Sequence, residues 1–223
     1  MILSLPREIM FEYVIRQVNA YFPDECVLGG DKKAFDLALE RLDYCFKHVA
    51  LKNYQKNGES NFYHLNMDQY SAFLYLYANS VWRLGGNTTL ADKLVLLNRA
   101  LSGMWCSYKN HLPDIFVFGH AVGTVLGNAN YSDYLMVQQN VTINTVDTYQ
   151  NDLKPHVGKG CYLSAGAKII GKVDIGDWCT LGVNTVLHNQ PLKDSCLAYA
   201  DKNGVLNIRE HDNHHLLECV FDI

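Results

Sequence analysis

The amino-acid sequence predicts an α+β chain: a helical N-terminal half followed by a parallel β-helix of hexapeptide repeats. Three observations carry this. Apolar residues in the first hundred positions recur at helical spacing. After Pro113 the period changes to six, and a polar segment at 144–154 interrupts that period without ending it.

The helical half opens the chain. Ser4 with Pro6 marks a cap and first turn. Ile9, Met10, Tyr13, Val14 and Val18 then form one apolar face, ending before Pro23. A second helix runs from about Asp31 through Phe35, Leu39, Leu42, Phe46 and Val49, and polar residues 53–61 break the chain. A third, roughly Met67 to Leu84, is apolar nearly all round and is expected to be buried. Gly85-Gly86 stops it, and a fourth spans about Leu90 to Trp105. Residues 1–110 thus read as an α-helical packing or assembly domain.

Residues 111–192 read as the β-helix. Val157, Leu163, Ile169, Ile175, Leu181 and Leu187 fall at six-residue steps, and Val125, Tyr131, Val137 and Ile143 keep the same step upstream. The residues two before each of the first set are mostly small or apolar (Pro155, Cys161, Ala167, Val173, Cys179, Thr185). Gly or Ser follows in four of the six cases, at 158, 164, 176 and 182. Neither a helix nor an ordinary strand has this period; a β-helix, with one short strand and one turn per hexad, does. The aliphatic residue points inward, the small one fits the corner, and stacking of coils supplies the stability. Between Ile143 and Val157 the step is 14 instead of 12, so NTVDTYQNDLK reads as a loop thrown out of the repeat, where function tends to lie. Residues 193–223 read as a C-terminal tail.

Composition narrows the function classes. The 223 residues carry a formal net charge of −4, which gives no electrostatic footprint for nucleic acid. Glu8, Glu12 and Arg16 interrupt the N-terminal apolar positions, against a signal peptide, and no run reaches transmembrane length. Seven scattered cysteines without a C-x-x-C pair fit reduced thiols. A soluble, cytoplasmic protein without a membrane span is expected.

The segments GHAVGTVLGNANYSDYLMVQQNVTIN and KPHVGKGCYLSAGAKIIGKVDIGDWCTLGVNTVL, with the polar loop between them, resemble the serine acetyltransferases of the left-handed β-helix acyltransferase superfamily. DQYSAFLYLYANSVWRL resembles the D-x-Y-S helix that precedes their β-helix, so the similarity runs from about residue 60 to 190. The resemblance implies a left-handed coil, a homotrimer that can pair into a dimer of trimers, and acetyl-CoA as acyl donor, with no metal. It makes His120 the general base: a hydroxyl is a poor nucleophile toward a thioester until a neutral imidazole takes its proton. It places the oxyanion donor near Asn144 and Thr145. The pantetheine arm then lies against Ser164, Ala165, Gly166, Gly182 and Val183, whose small size is also what hexad corners require.

Several departures bear on the acceptor. The family has a carboxylate before its catalytic histidine, where this chain has Gly119, and another acid four residues before the D-x-Y-S aspartate, where it has His64. The aspartate itself is Asp68. Those acids recognise an amino-acid acceptor, and an ammonium buried without them is costly. In place of the family's Arg-His-Pro stands Leu153-Lys154-Pro155-His156, which makes Lys154 and His156 further catalytic candidates. Asp114 is the nearest candidate to orient His120. SCLAYADKNGVLNIREH replaces the family's A-G-x-P-A turn. The expectation is acetyl transfer to a changed acceptor, a sugar hydroxyl of a bacterial capsule or lipopolysaccharide; the alternative is a true serine O-acetyltransferase. A γ-carbonic-anhydrase-like metal protein, suggested by the 36-residue spacing of His120 and His156, and a non-catalytic trimeric scaffold are the remaining readings.

Overall fold

The computed structural model describes residues 1–24, 28–144, 154–211 and 213–223. Helices α1 (Arg7–Tyr21), α2 (Lys32–Lys47), α3 (Met67–Arg83) and α4 (Thr88–Ser102) build the first half. Asp31, Asn66 and Asn87 cap the last three by accepting from backbone N–H groups of the first turn. Every residue of α3 from Gln69 to Val81 is buried, as its all-round apolar character requires. Helix α4 stops three residues before Trp105 because Gly103 takes the left-handed conformation (φ 72°) and closes the helix.

Residues 53–61, expected only as a break, carry structure. Strands β1 (Ile2–Leu3), β2 (Gln55–Lys56) and β3 (Glu59–Phe62) form a small sheet in the order β1-β3-β2. Ser4 is not a cap: its backbone N–H is bonded to Phe62 O and its hydroxyl to the backbone N–H of His64.

The second half is a triangular prism. The first wall holds β5 (Phe116–Gly119), β8 (Leu135–Gln138), β11 (Tyr162–Leu163), β14 (Thr180–Leu181), β16 (Cys196–Ala200) and β17 (Leu206–Glu210). The second holds β4 (Trp105–Cys106), β6 (Val125–Leu126), β9 (Thr142–Ile143), β12 (Lys168–Ile170) and β15 (Val186–His188). The third holds β7 (Asn130–Tyr131), β10 (His156–Val157) and β13 (Asp174–Ile175). Pairing is parallel throughout except for β16 with β17. Leu163, Leu181, Ile169, Leu187, Val157 and Ile175 are fully buried on the inner faces. The fold is the left-handed β-helix behind a helical half.

The register corrects the upstream repeat in two places. Leu126, fully buried, pairs with Ile143, so Leu126 and not Val125 is the inward residue. The 14-residue step from Ile143 to Val157 joins adjacent walls, since β10 pairs with β7 and β13; it stands where a single six-residue step would otherwise be. The tail is also structured. β16 continues the first wall, Asn213 is fully buried and donates to Gly160 O and Cys179 O, and α5 (His214–Glu218) follows. Val220 O then accepts from Ala50 N–H, which fastens the C-terminal segment to the helical half. Periodicity missed this segment because β16–β17 is a hairpin, not a hexad.

Candidate active site

The corner between the first and second walls carries His120. Gly119 pairs with Gln138 and Val125 with Thr142, so five residues (120–124) make the first coil's turn where three (139–141) make the next. The two additional residues push His120 outward: its side chain is 88% exposed, and its backbone sits at φ +53°. A non-glycine residue in that region carries strain and persists only when its surroundings fix it.

Asp68, in the first turn of α3, does the fixing. Its Oδ1 accepts the backbone N–H of His120 at 2.8 Å, and its Oδ2 lies 3.4 Å from His120 Nδ1. One carboxylate therefore holds both the strained backbone and the ring, leaving Nε2 to face solvent. Burial pushes the Asp68 carboxyl above its ordinary range, while the neighbouring imidazole and the hydrogen bond from His120 pull it back. Asp114, the residue expected in this role, instead lines a hollow near Tyr44 and Lys159. No spacing rule foretells a partner 52 residues away on another element.

Below His120 the turns stack. Asn140 N–H reaches Val122 O, Gly166 N–H reaches Gln139 O, and Asn184 N–H reaches Ala165 O. Ser164, Ala165 and Gly166 thus lie on the His120 corner two coils along, and Gly182 and Val183 three coils along, roughly 10 and 14 Å away at the spacing of adjacent strands. Gln138, unnoticed in the sequence, ties the corner together: its Oε1 accepts from Ala165 N–H and its Nε2 donates to Tyr162 Oη. Val122 and Val183 are each 61% exposed, so this edge is apolar and open.

The remaining candidates lie elsewhere. Asn144 and Lys154 line a cleft of about 820 Å³ at the corner between the second and third walls. The Asn144 backbone N–H is already donated to Ile169 O at 2.9 Å, so it is not free to meet an oxyanion; Thr145 lies outside the described residues. His156 is exposed at the start of β10 on the third wall. His120 and His156 therefore do not stack despite their 36-residue spacing, because the insertion after Ile143 shifts the coil phase. Among the described residues no three His, Cys, Asp or Glu side chains are grouped to hold a metal ion. Within one chain, His120 is brought together with the small-residue turns and not with Lys154 or His156.

The acceptor departures have structural contexts. His64 stacks edge-on against Tyr13 and Tyr63, and its Nδ1 is 2.8 Å from Ser4 Oγ, with burial lowering its pKa. A side chain at Gly119 would meet the flexible tip of Met136, which must swing aside to admit it.

No protein-family model matches the chain. It is 32% identical over 74 residues to a serine acetyltransferase of Haemophilus influenzae, covering 33% of this chain and 28% of that one. It is 27% identical over 92 residues to a serine acetyltransferase of Synechococcus elongatus, 41% of this chain and 38% of that one. The matched stretches thus span between about a quarter and two fifths of these relatives. Among solved structures, the serine acetyltransferase of Brucella abortus in complex with coenzyme A superposes with a TM-score of 0.66 at 16% identity, covering 94% of this chain and 84% of that one. A serine acetyltransferase complex with CoA gives 0.62 at 18% identity over 80% and 73%. Among the described residues no helix is long and apolar enough to cross a membrane. The chain is serine acetyltransferase-like, with the hexapeptide-repeat β-helix of those proteins set behind a helical half.

Proposed function

We propose that this chain is an acyl-CoA-dependent O-acetyltransferase that moves an acetyl group from acetyl-CoA to an acceptor hydroxyl. The observation that carries the reading is the Asp68–His120 pair on an open corner, with small-residue turns stacked beneath it. The acceptor oxygen attacks the thioester carbonyl as His120 takes its proton. The tetrahedral intermediate then collapses: the C–S bond breaks, the imidazolium returns the proton to sulfur, and an O-acetyl ester and free CoA leave. Asp68 fixes the ring and stabilises the imidazolium between the two transfers. The pantetheine arm lies along Ser164, Ala165, Gly166, Gly182 and Val183. A second copy of the chain, as in a homotrimer, covers the exposed corner and brings its own Lys154 and His156 toward it.

The similar proteins named above are serine acetyltransferases, which supports the hydroxyl of serine as acceptor over the sugar hydroxyl first expected. A sugar hydroxyl is the second reading, and Gly119 and His64 favour it, because neither position supplies a carboxylate for an ammonium. Thermal melting with CoA, followed by thiol release from acetyl-CoA with L-serine or a neutral sugar, tests both readings. A ligand at about a hundred times its Kd stabilises by roughly 2.7 kcal/mol, a readily measured rise in Tm. A flat melting curve with CoA sinks acetyl transfer; turnover with one acceptor alone decides between the two.

A further inference from the structure

The start of α3 belongs to two features at once. Asp68, in its first turn, holds His120. Asn66, its cap, lines a hollow of about 420 Å³ beside the small N-terminal sheet, together with Ser4, Asn53, Lys56, Asn61, Tyr63 and strand β1. The Asn66 Oδ1 atom accepts the Asp68 backbone N–H at 3.1 Å, so it stands within roughly 10 Å of the His120 backbone nitrogen that the Asp68 carboxylate holds. The volume falls in the range of small-molecule sites.

The fold sets which polar groups the hollow offers. Asn66 Oδ1 is taken up by the N–H groups of Asp68 and Gln69, which leaves its Nδ2 as a donor. Asn61 Nδ2 donates to Asn53 O at 3.1 Å, which leaves its Oδ1 as an acceptor. Gln69, fully buried, braces this lining: its Nε2 also donates to Asn53 O, and its Oε1 accepts the Tyr63 N–H. Asn53 adds an exposed carboxamide. A fixed donor beside fixed acceptors suits hydroxyl groups, each of which both gives and takes a hydrogen bond. A simple anion would meet the Asn61 oxygen, an acceptor, where a hydroxyl donates to it. Tyr63, 46% exposed and edge-on to His64 at 5.7 Å, supplies a flat apolar face. A sugar ring has the matching form, with hydroxyls round its edge and C–H groups on its faces.

We propose, resting on the sugar reading of the acceptor, that this hollow seats one ring of a neutral saccharide while a hydroxyl of the adjoining ring reaches His120. The carboxamides of Asn53, Asn61 and Asn66 take the seated ring's hydroxyls, and the Tyr63 ring covers its apolar face. The hollow is then what favours a glycan over a free amino acid.

Ligand-observed NMR titration of the full chain without acetyl-CoA tests this, with maltose, lactose and N,N′-diacetylchitobiose as probes. At least one should saturate a single site. Tyr63→Ala should weaken its binding by about three- to tenfold and Asn53→Ala by about threefold. Both positions are exposed, so both variants should melt near the wild type. With acetyl-CoA present, the same variants should raise KM for that disaccharide and leave kcat within about twofold. Three results overturn the proposal: none of the three disaccharides binds, both variants bind as tightly as the wild type, or KM is unmoved in both. Saccharide binding without thiol release supports the hollow and sinks acetyl transfer; thiol release with L-serine and no saccharide binding overturns the hollow and spares acetyl transfer.

Discussion

The two corners flanking the second wall are built on the same hexads and differ in what has been added to them. At the first corner two extra residues in one turn expose His120, and every later turn is small and tight, so the edge is open and apolar. At the second, Asn144 and Lys154, at the two ends of the long step, line a wide cleft whose described residues include several amides and three basic side chains. The lesson is that the repeat sets a rigid frame, and chemistry enters where its count is broken. A regular hexad offers only buried aliphatics and turn residues; an added residue has no place in the prism and must face solvent.

Changes to the shared frame should have the largest effect and touch both corners alike. Leu163 is fully buried inside the prism, and Leu163→Ala should cost about 2–5 kcal/mol of folding stability, seen as a lower midpoint in urea. Loss of CoA binding is expected, in proportion to the unfolded fraction.

Gly127→Ala should act on the second corner alone. The added Cβ meets backbone, which cannot rotate away, so a destabilisation of about 1–3 kcal/mol is expected. The CoA-dependent rise in Tm should survive in the remaining folded protein; its loss would mean that the two corners are not separable.

Asp68→Asn sharpens the first corner. The amide oxygen still accepts the His120 N–H, but the charge that steadies the imidazolium is gone. Thiol release should fall by about tenfold, a part of what general base catalysis contributes. Stability should move the other way. Burial raises the Asp68 carboxyl, so the folded chain holds its proton to higher pH than the unfolded chain does. Native stability therefore drops as pH rises through that raised value, and the penalty is complete above it. Asparagine removes it. Melting of Asp68→Asn should be level or slightly higher at pH 7, with the advantage disappearing at low pH; a lower Tm at pH 7 would make Asp68 a structural residue only.

Gly119→Asp is the smallest change. It returns a carboxylate beside His120 once Met136 swings aside, and should lower KM for L-serine by a few-fold, as an exposed ion pair does. No change would remove the ammonium argument from the choice of acceptor.

Much of this was legible in the sequence. The inward residues from Val157 to Leu187 follow from their spacing, because a coil fixes its period by geometry. Helix α3 was legible as buried because nearly every face is apolar. The Leu126 register and the phase of His156 were not, since a change in turn length shifts every later residue without altering local composition. Asp68 was visible as a motif residue, but its contact with His120 comes from docking of the helical half on the first coil. Long-range contacts between elements of different period leave no mark in either. The second-corner cleft was invisible for the same reason: Lys109 and His111 come from the linker before the first coil, Lys154 from beyond the loop.

Acetyl transfer at the first corner turns on His120 as the base. Thiol release from acetyl-CoA by His120→Ala, set against the wild-type chain with its better acceptor, tests this most directly. Because the side chain is 88% exposed, the variant should melt like the wild type. Its turnover should fall by roughly 10²–10⁴-fold, with CoA binding retained. Turnover within a few-fold of the wild type, from a folded protein, would contradict the account.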